Sequence, residues 1–172
     1  MTAPTWAAHL PEGRDPASVD LLADRSLPGS WTRRWRTDGS ARVVHSDPEG
    51  WTTADALEER SRRVAARFAA AGLQRGDHVV VSAAAGLPLV VAHVAALRLG
   101  LVVVPVNAAY GEREVAHVVR DCRPAAAVVD AAERGGWVES ASDRPVLVTG
   151  PDVDLPDGPD VPLDDVGSAD PG

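Results

Sequence analysis

The chain has 172 residues and a formal charge of -8, and all 17 of its basic residues are arginine. That length favours one domain with tails. Seven of the excess acids (Asp152, Asp154, Asp157, Asp160, Asp164, Asp165 and Asp170) lie in the last stretch, so the remainder is near neutral and offers no basic block for nucleic acid.

Cys122 is alone, which rules out a disulfide framework or a cysteine metal cluster within one chain. Residues 1–10 lack the basic segment and apolar run of a secretory signal. The most apolar stretch, Leu87 to Val106, contains His93, Arg98, Gly100 and Pro105. A spanning helix needs about 20 apolar residues with few charges, so this stretch reads as a helix and a strand. No membrane span is expected, and the expected location is the cytoplasm.

Residues 1–40 form a mixed lead-in interrupted by Pro4, Pro11, Pro16 and Pro28. Trp31 and Trp35, four apart among Arg33, Arg34 and Arg36, predict one short amphipathic helix that packs two indoles on the domain. Ala41 to Ser46 predicts a strand. Asp47-Pro48-Glu49-Gly50 comes next as a turn, and Trp51 as a short returning strand. Thr52, with Asp55 three positions on, predicts a helix start. Leu57, Val64, Ala65 and Phe68 share one face of that helix, and Glu58 and Glu59 precede Arg62 and Arg63 by four on another. Gly72 is the expected stop.

Beyond Gly72, short apolar runs alternate with helical patterns. Strands are expected at His78–Ser82, Leu101–Val106, Ala125–Val129 and Pro145–Thr149, with helices at Pro88–Leu99, Gly111–Cys122 and Ala131–Ala141 between them. Such alternation predicts an α/β fold: a three-layer parallel sheet with helices on both faces, preceded by a β-hairpin and helix. The domain reading is a lead-in over 1–40, an α/β lobe over 41–149 and an acidic Pro/Gly linker over 150–172 with no apolar periodicity.

A parallel α/β unit invites a search for a nucleotide motif. After Ser82 the chain reads Ala83-Ala84-Ala85-Gly86-Leu87-Pro88, with too few glycines for the dinucleotide fingerprint. The phosphate loop ending in Gly-Lys-Ser/Thr cannot occur without lysine, and no Gly-x-Ser-x-Gly elbow is present. His9, His45, His78, His93 and His117 are scattered without ligand spacing. His93 is expected as a hydrogen-bonded core residue and His117 as partly exposed. Asp130 lies after a strand at an edge where α/β folds bind ligands, and the expectation is a simple strand-to-helix cap.

Four segments, in order, resemble adenylate-forming enzymes. Trp51-Thr52-Thr53-Ala54-Asp55-Ala56-Leu57 is similar to the aromatic-Thr-x-x-acid-Leu opening of their first long helix. Gly72-Leu73-Gln74-Arg75-Gly76-Asp77-His78-Val79 resembles their link into the first parallel strand. Ala95 to Asn107 resembles their helix, glycine and strand ending in Val-Pro-hydrophobic-Asn, and Glu114 to Cys122 resembles their next helix. The resemblance spans about residues 41–130. Asn107 is more like the acyl-CoA synthetase branch than the amino-acid-activating domains, which usually carry Asp there. Gly111 departs from the hydroxyl or Asp that relatives often place at that helix start.

The resemblance implies an enzyme that joins a carboxylic acid to AMP and passes the acyl group to coenzyme A, with ATP, Mg²⁺ and coenzyme A as cofactors of the full-length protein. Attack on the α-phosphate develops negative charge that needs metal, backbone donors and cations. The family's Ser/Thr/Gly-rich loop ending in Lys, its aromatic-Gly-x-Thr-Glu segment, its ribose-binding Asp and its mobile Lys are not among these residues, and the loop is expected just after Gly172. No catalytic, cofactor-binding or metal residue is therefore assigned, and the chain alone is expected to be inactive. Pro105 and Asn107 are expected to fix a strand exit, with the Asn side chain bonding the next turn. The expected partner is the remainder of the synthetase, in the same chain or a separate one. The alternatives are a non-catalytic module that binds a partner chain, a fragment of an amino-acid adenylation domain, and an unrelated flavodoxin-like binding protein.

Overall fold

β-Branched runs between glycine and proline breaks form the strands, and the intervening periodic segments form the helices. The computed structural model describes Leu10, Glu12, Asp15, and residues 27–47 and 49–159. The rest of the lead-in before residue 27 (Pro4, His9, Pro11 and Pro16 included), Pro48 and the acids from Asp160 onward lie outside the described residues. The order is α1 (Leu27–Thr37), β1 (Arg42–Ser46), β2 (Gly50–Thr53), α2 (Ala54–Ala70), β3 (His78–Ser82), α3 (Leu87–Arg98), β4 (Val102–Pro105), α4 (Glu112–Cys122), β5 (Ala126–Val129), α5 (Ala132–Ala141) and β6 (Leu147–Thr149).

β1 and β2 form an antiparallel hairpin, and the other four strands form a parallel sheet in the order β4-β3-β5-β6. The chain moves from β3 to β4 on one side, then crosses to β5 on the other. Parallel crossovers keep one hand, so reversing direction puts the later helices on the opposite face. The two cores reflect this division. Val79 and Val81 of β3 point into a core with Leu57, Val64, Phe68 and Val91 from α2 and α3. Val80 points the other way, toward Val115, Val119 and Val138 from α4 and α5. A sheet buried on both faces explains why β5 reads as an unbroken apolar run and is buried at every position. β4 is an edge strand, and Val102 at its start is exposed.

On α1, Trp31 and Trp35 stack with ring centroids 6.3 Å apart, and both pack on the α2/α3 core. The helix expected at these indoles is thus present and faces inward. α2 starts one residue later than the sequence indicates. Thr52 is buried in β2, and the cap is Thr53, whose hydroxyl accepts the Ala56 N–H at 3.3 Å. Gly100 holds φ at +69° where α3 turns into β4, a conformation that favours glycine.

The pairing of the α2 acids also differs from expectation. Arg63 does meet Glu59 at 2.6 Å, an exposed i,i+4 pair. Glu58 instead turns to Arg98 of α3 and accepts two guanidinium hydrogen bonds, at 2.7 and 2.8 Å. Arg98 also donates to the Ser61 hydroxyl at 2.8 Å, and that hydroxyl donates to the Leu57 carbonyl at 2.7 Å. The Arg98 side chain is only 1% exposed. Burial pulls its guanidinium below the usual arginine value, and the Glu58 carboxylate opposes that shift. The cost of burying the charge is met by a planar two-toothed partner, a geometry arginine supplies and lysine does not.

Residues 150–159 are expected from composition to begin a free linker. They carry no helix or strand, yet they lie on α2, and Val153 is fully buried in the α2/α3 core. Arg67 of α2 donates to the Val153 carbonyl at 3.1 Å and to the Asp157 carboxylate at 2.8 Å. Leu155 packs half-buried against the same core. Two apolar residues among Pro, Gly and Asp are too few to set a period, which is why composition alone hides this contact.

Removing Glu58 would strand the buried Arg98 charge. Glu58→Ala is expected to lower the unfolding free energy by about 3 kcal/mol in chemical denaturation. A loss below ~1 kcal/mol would mark the pair as no stronger than a surface salt bridge.

Candidate functional site

In an open α/β sheet the ligand crevice lies beyond the strands' carboxyl ends, where the winding reverses. Here that point falls between β3 and β5. The residues that meet there are the 82–86 loop after β3, the turn after β4, and Asp130 after β5.

Asp130 does not cap α5, whose N-cap position is Ala131 and receives no side-chain hydrogen bond. Its carboxylate instead reaches across the switch point, accepting the Ala84 N–H at 2.6 Å and an Arg134 N–H at 2.6 Å. The loop after β3 brings the Ala84 N–H within reach, whereas the cap position belongs to the next residue. The Ala84 N–H is the main cause of a carboxyl held below the usual aspartate range, and Arg134 adds to it. Arg134, one helical turn on, also donates to the Ser82 carbonyl at 3.1 Å and the Ala108 carbonyl at 2.7 Å. One guanidinium thus joins the ends of β3 and β5 to the turn after β4.

That turn behaves as the sequence indicates. The Asn107 side chain accepts the Ala109 N–H at 2.9 Å, and its carbonyl accepts the Tyr110 N–H at 3.0 Å. At α4 the missing hydroxyl cap is replaced in part by Glu114, whose carboxylate accepts the Gly111 N–H at 3.1 Å. The Asp130–Arg134 pair sits at i,i+4, a spacing that sequence reading could have flagged. Its contacts with Ser82 and Ala108 carry no such signal, because they join separate turns.

The described histidines do not converge. His93 is half-buried rather than a core residue, His117 and His45 are exposed, and His78 is half-buried. His45 packs edge-on against Trp51 in the hairpin, with ring centroids 5.0 Å apart. Among the described residues, no three His, Cys, Asp or Glu side chains group in a way that could hold a metal ion. No described helix is long and apolar enough to cross a membrane. The arrangement at the switch point can fix three turns relative to one another. It offers no nucleophile with a base.

The lowered Asp130 pKa fixes a sign. A carboxyl whose folded pKa lies below its unfolded value, about 3.9, contributes stability that is present above about pH 4 and lost as pH falls through the folded pKa. Asp130→Asn is therefore expected to be less stable than the parent at pH 7, with the difference shrinking toward pH 3. Denaturation midpoints across that range check this, and a difference that stays constant with pH would contradict the assignment.

The family profile described as AMP-binding enzyme matches residues 31–165. No curated protein sequence matches the chain. Among solved structures it is similar to VinN, with 19% identity and a TM-score of 0.66 over 74% of this chain and 33% of that one. It is similar to a benzoate CoA ligase from Burkholderia xenovorans LB400, with 19% identity and a TM-score of 0.66 over 78% of this chain and 29% of that one. It is also similar to MatB from Rhodopseudomonas palustris, with 26% identity and a TM-score of 0.61 over 80% of this chain and 27% of that one. The chain thus spans about a third or less of the length of these structures. With the profile covering most of its length and the parallel lobe in place, the chain belongs to the AMP-binding, adenylate-forming enzyme family.

Proposed function

We propose that this chain is the N-terminal part of an ATP-dependent acyl-CoA synthetase and supplies scaffold, with the reacting groups on the remainder of the enzyme. The observation that carries the branch is the exit of β4 at Pro105-Val106-Asn107. Asn107 there closes the next turn with its own side chain, in the position where amino-acid-activating relatives usually carry Asp. Similarity to a benzoate CoA ligase supports the same branch. The competing reading is an amino-acid adenylation domain. It is favoured by similarity to VinN, one of whose structures is a complex with L-aspartate, and to the peptide synthetase FmoA3 at 21% identity.

The described residues do not fit ATP and Mg²⁺. They bring no lysine, no metal-holding cluster and no glycine-rich phosphate loop, so no catalytic step is assigned to them. ATP, Mg²⁺, coenzyme A and a carboxylic acid would be bound by the complete enzyme, whose working location is the cytoplasm. Within this assignment residues 1–40 are the lead-in, 41–149 the lobe, and 150–172 the connection to the remainder of the enzyme.

The 172-residue chain, offered ATP, Mg²⁺ and a panel of fatty, short-chain and aromatic acids, is expected to show no acid-dependent ATP–pyrophosphate exchange. Joined to the remainder of the enzyme, it is expected to give both exchange and a coenzyme A thioester. Exchange by the chain alone would overturn the scaffold assignment. Amino-acid-dependent exchange by the joined protein, without thioester formation on coenzyme A, would favour the adenylation-domain reading.

A further inference from the structure

We propose that residues 150–159 form a strap on α2 that opens as its own unit, without unfolding the sheet beneath it. Two kinds of contact hold it. Val153 inserts fully into the core shared by α2 and α3, and Leu155 packs half-buried against it. Arg67 clasps the strap at two points, the Val153 carbonyl and the Asp157 carboxylate. Farther on, Gly158 lies so close to α2 that a β-carbon there would collide with the Ala66 carbonyl oxygen and come within 2.7 Å of the Ala70 β-carbon. Only glycine allows that approach.

Each hold is offset. Val153 adopts φ +48°, a left-handed conformation that is an outlier for a β-branched residue, so part of what its burial contributes is spent on backbone strain. Among the described residues, the strap's own backbone bonds are two local turns, Val153 N–H to the Gly150 carbonyl and Leu155 N–H to the Val153 carbonyl. The Asp157 side chain is 68% exposed, so its pairing with Arg67 is open to solvent and to screening by salt. Segments with one fully buried anchor and few shielded hydrogen bonds open locally well before a domain unfolds. By contrast, β3 and β5 have neighbours on both sides and helices on both faces.

Opening would release Arg67 and uncover the end of a groove of about 160 Å³ between α2 and α3, whose walls include Val64, Pro88, Val91 and Pro151. It would also free the direction in which the chain leaves the lobe. The strap is therefore a latch on the exit path: seated, it fixes where the residues after it begin.

Amide hydrogen exchange on the full 172-residue chain tests this, at low salt and in 1 M NaCl, with Arg67→Gln alongside. Amides of 150–159 are expected to exchange at least about tenfold faster than those of β3 and β5. Salt is expected to accelerate the strap severalfold and leave β3 and β5 unchanged. Arg67→Gln should show the faster strap exchange already at low salt, with a smaller further response to NaCl than the parent, since Arg62 and Arg63 still lie near Asp157. The proposal is overturned if the strap exchanges together with the sheet, if salt leaves it unchanged, or if Arg67→Gln keeps the parent's salt response.

Discussion

A parallel sheet cannot leave a face in water, and most of this lobe is a consequence of that constraint. Its strands are joined by helical crossovers, and each crossover must cover the face it passes. The reversal of winding after β4 divides the helices into α2 with α3 on one side and α4 with α5 on the other. The same reversal opens a crevice between the ends of β3 and β5. In this chain Asp130 and Arg134 span that crevice, tying three turns together.

The α2/α3 face carries a second requirement, a full charge inside the protein. Arg98 is reached by both oxygens of Glu58 and by the Ser61 hydroxyl. These contacts set the rotation and spacing of the two helices more tightly than the surrounding alanines and valines could, because a two-toothed pair tolerates little displacement. α1 then closes the outer side of this layer through its stacked tryptophans.

The strands, the helices and their alternation were legible in the sequence because they rest on local patterns: valine runs, glycine stops, and the proline after a helix. Asn107 was legible for the same reason, since its hydrogen bond reaches only two residues along the chain. What escaped were contacts between distant segments. Glu58 has Arg62 at the favourable i+4 spacing, yet the buried guanidinium 40 residues away wins because it has no water to turn to. Asp130 looked like a cap, but a loop amide 46 residues earlier was the better donor. Val153 gave no signal, because it and Leu155 are too few in a Pro/Gly/Asp stretch to set a period. The shift of the cap from the expected Thr52 to Thr53 is of another kind: two adjacent hydroxyls can serve one cap, and burial of Thr52 in the hairpin decides between them.

We propose that the candidate site is structural at its centre and that this lobe positions chemistry carried by the remainder of the enzyme. Calorimetric titration of the chain with a stable acyl-adenylate analogue, an acyl-sulfamoyl adenosine, tests that claim most directly. The account predicts no saturable heat up to about 1 mM ligand, a concentration at which even binding worth ~4 kcal/mol would be visible. Saturable binding that ATP competes away would contradict it and place an adenylate site within these residues.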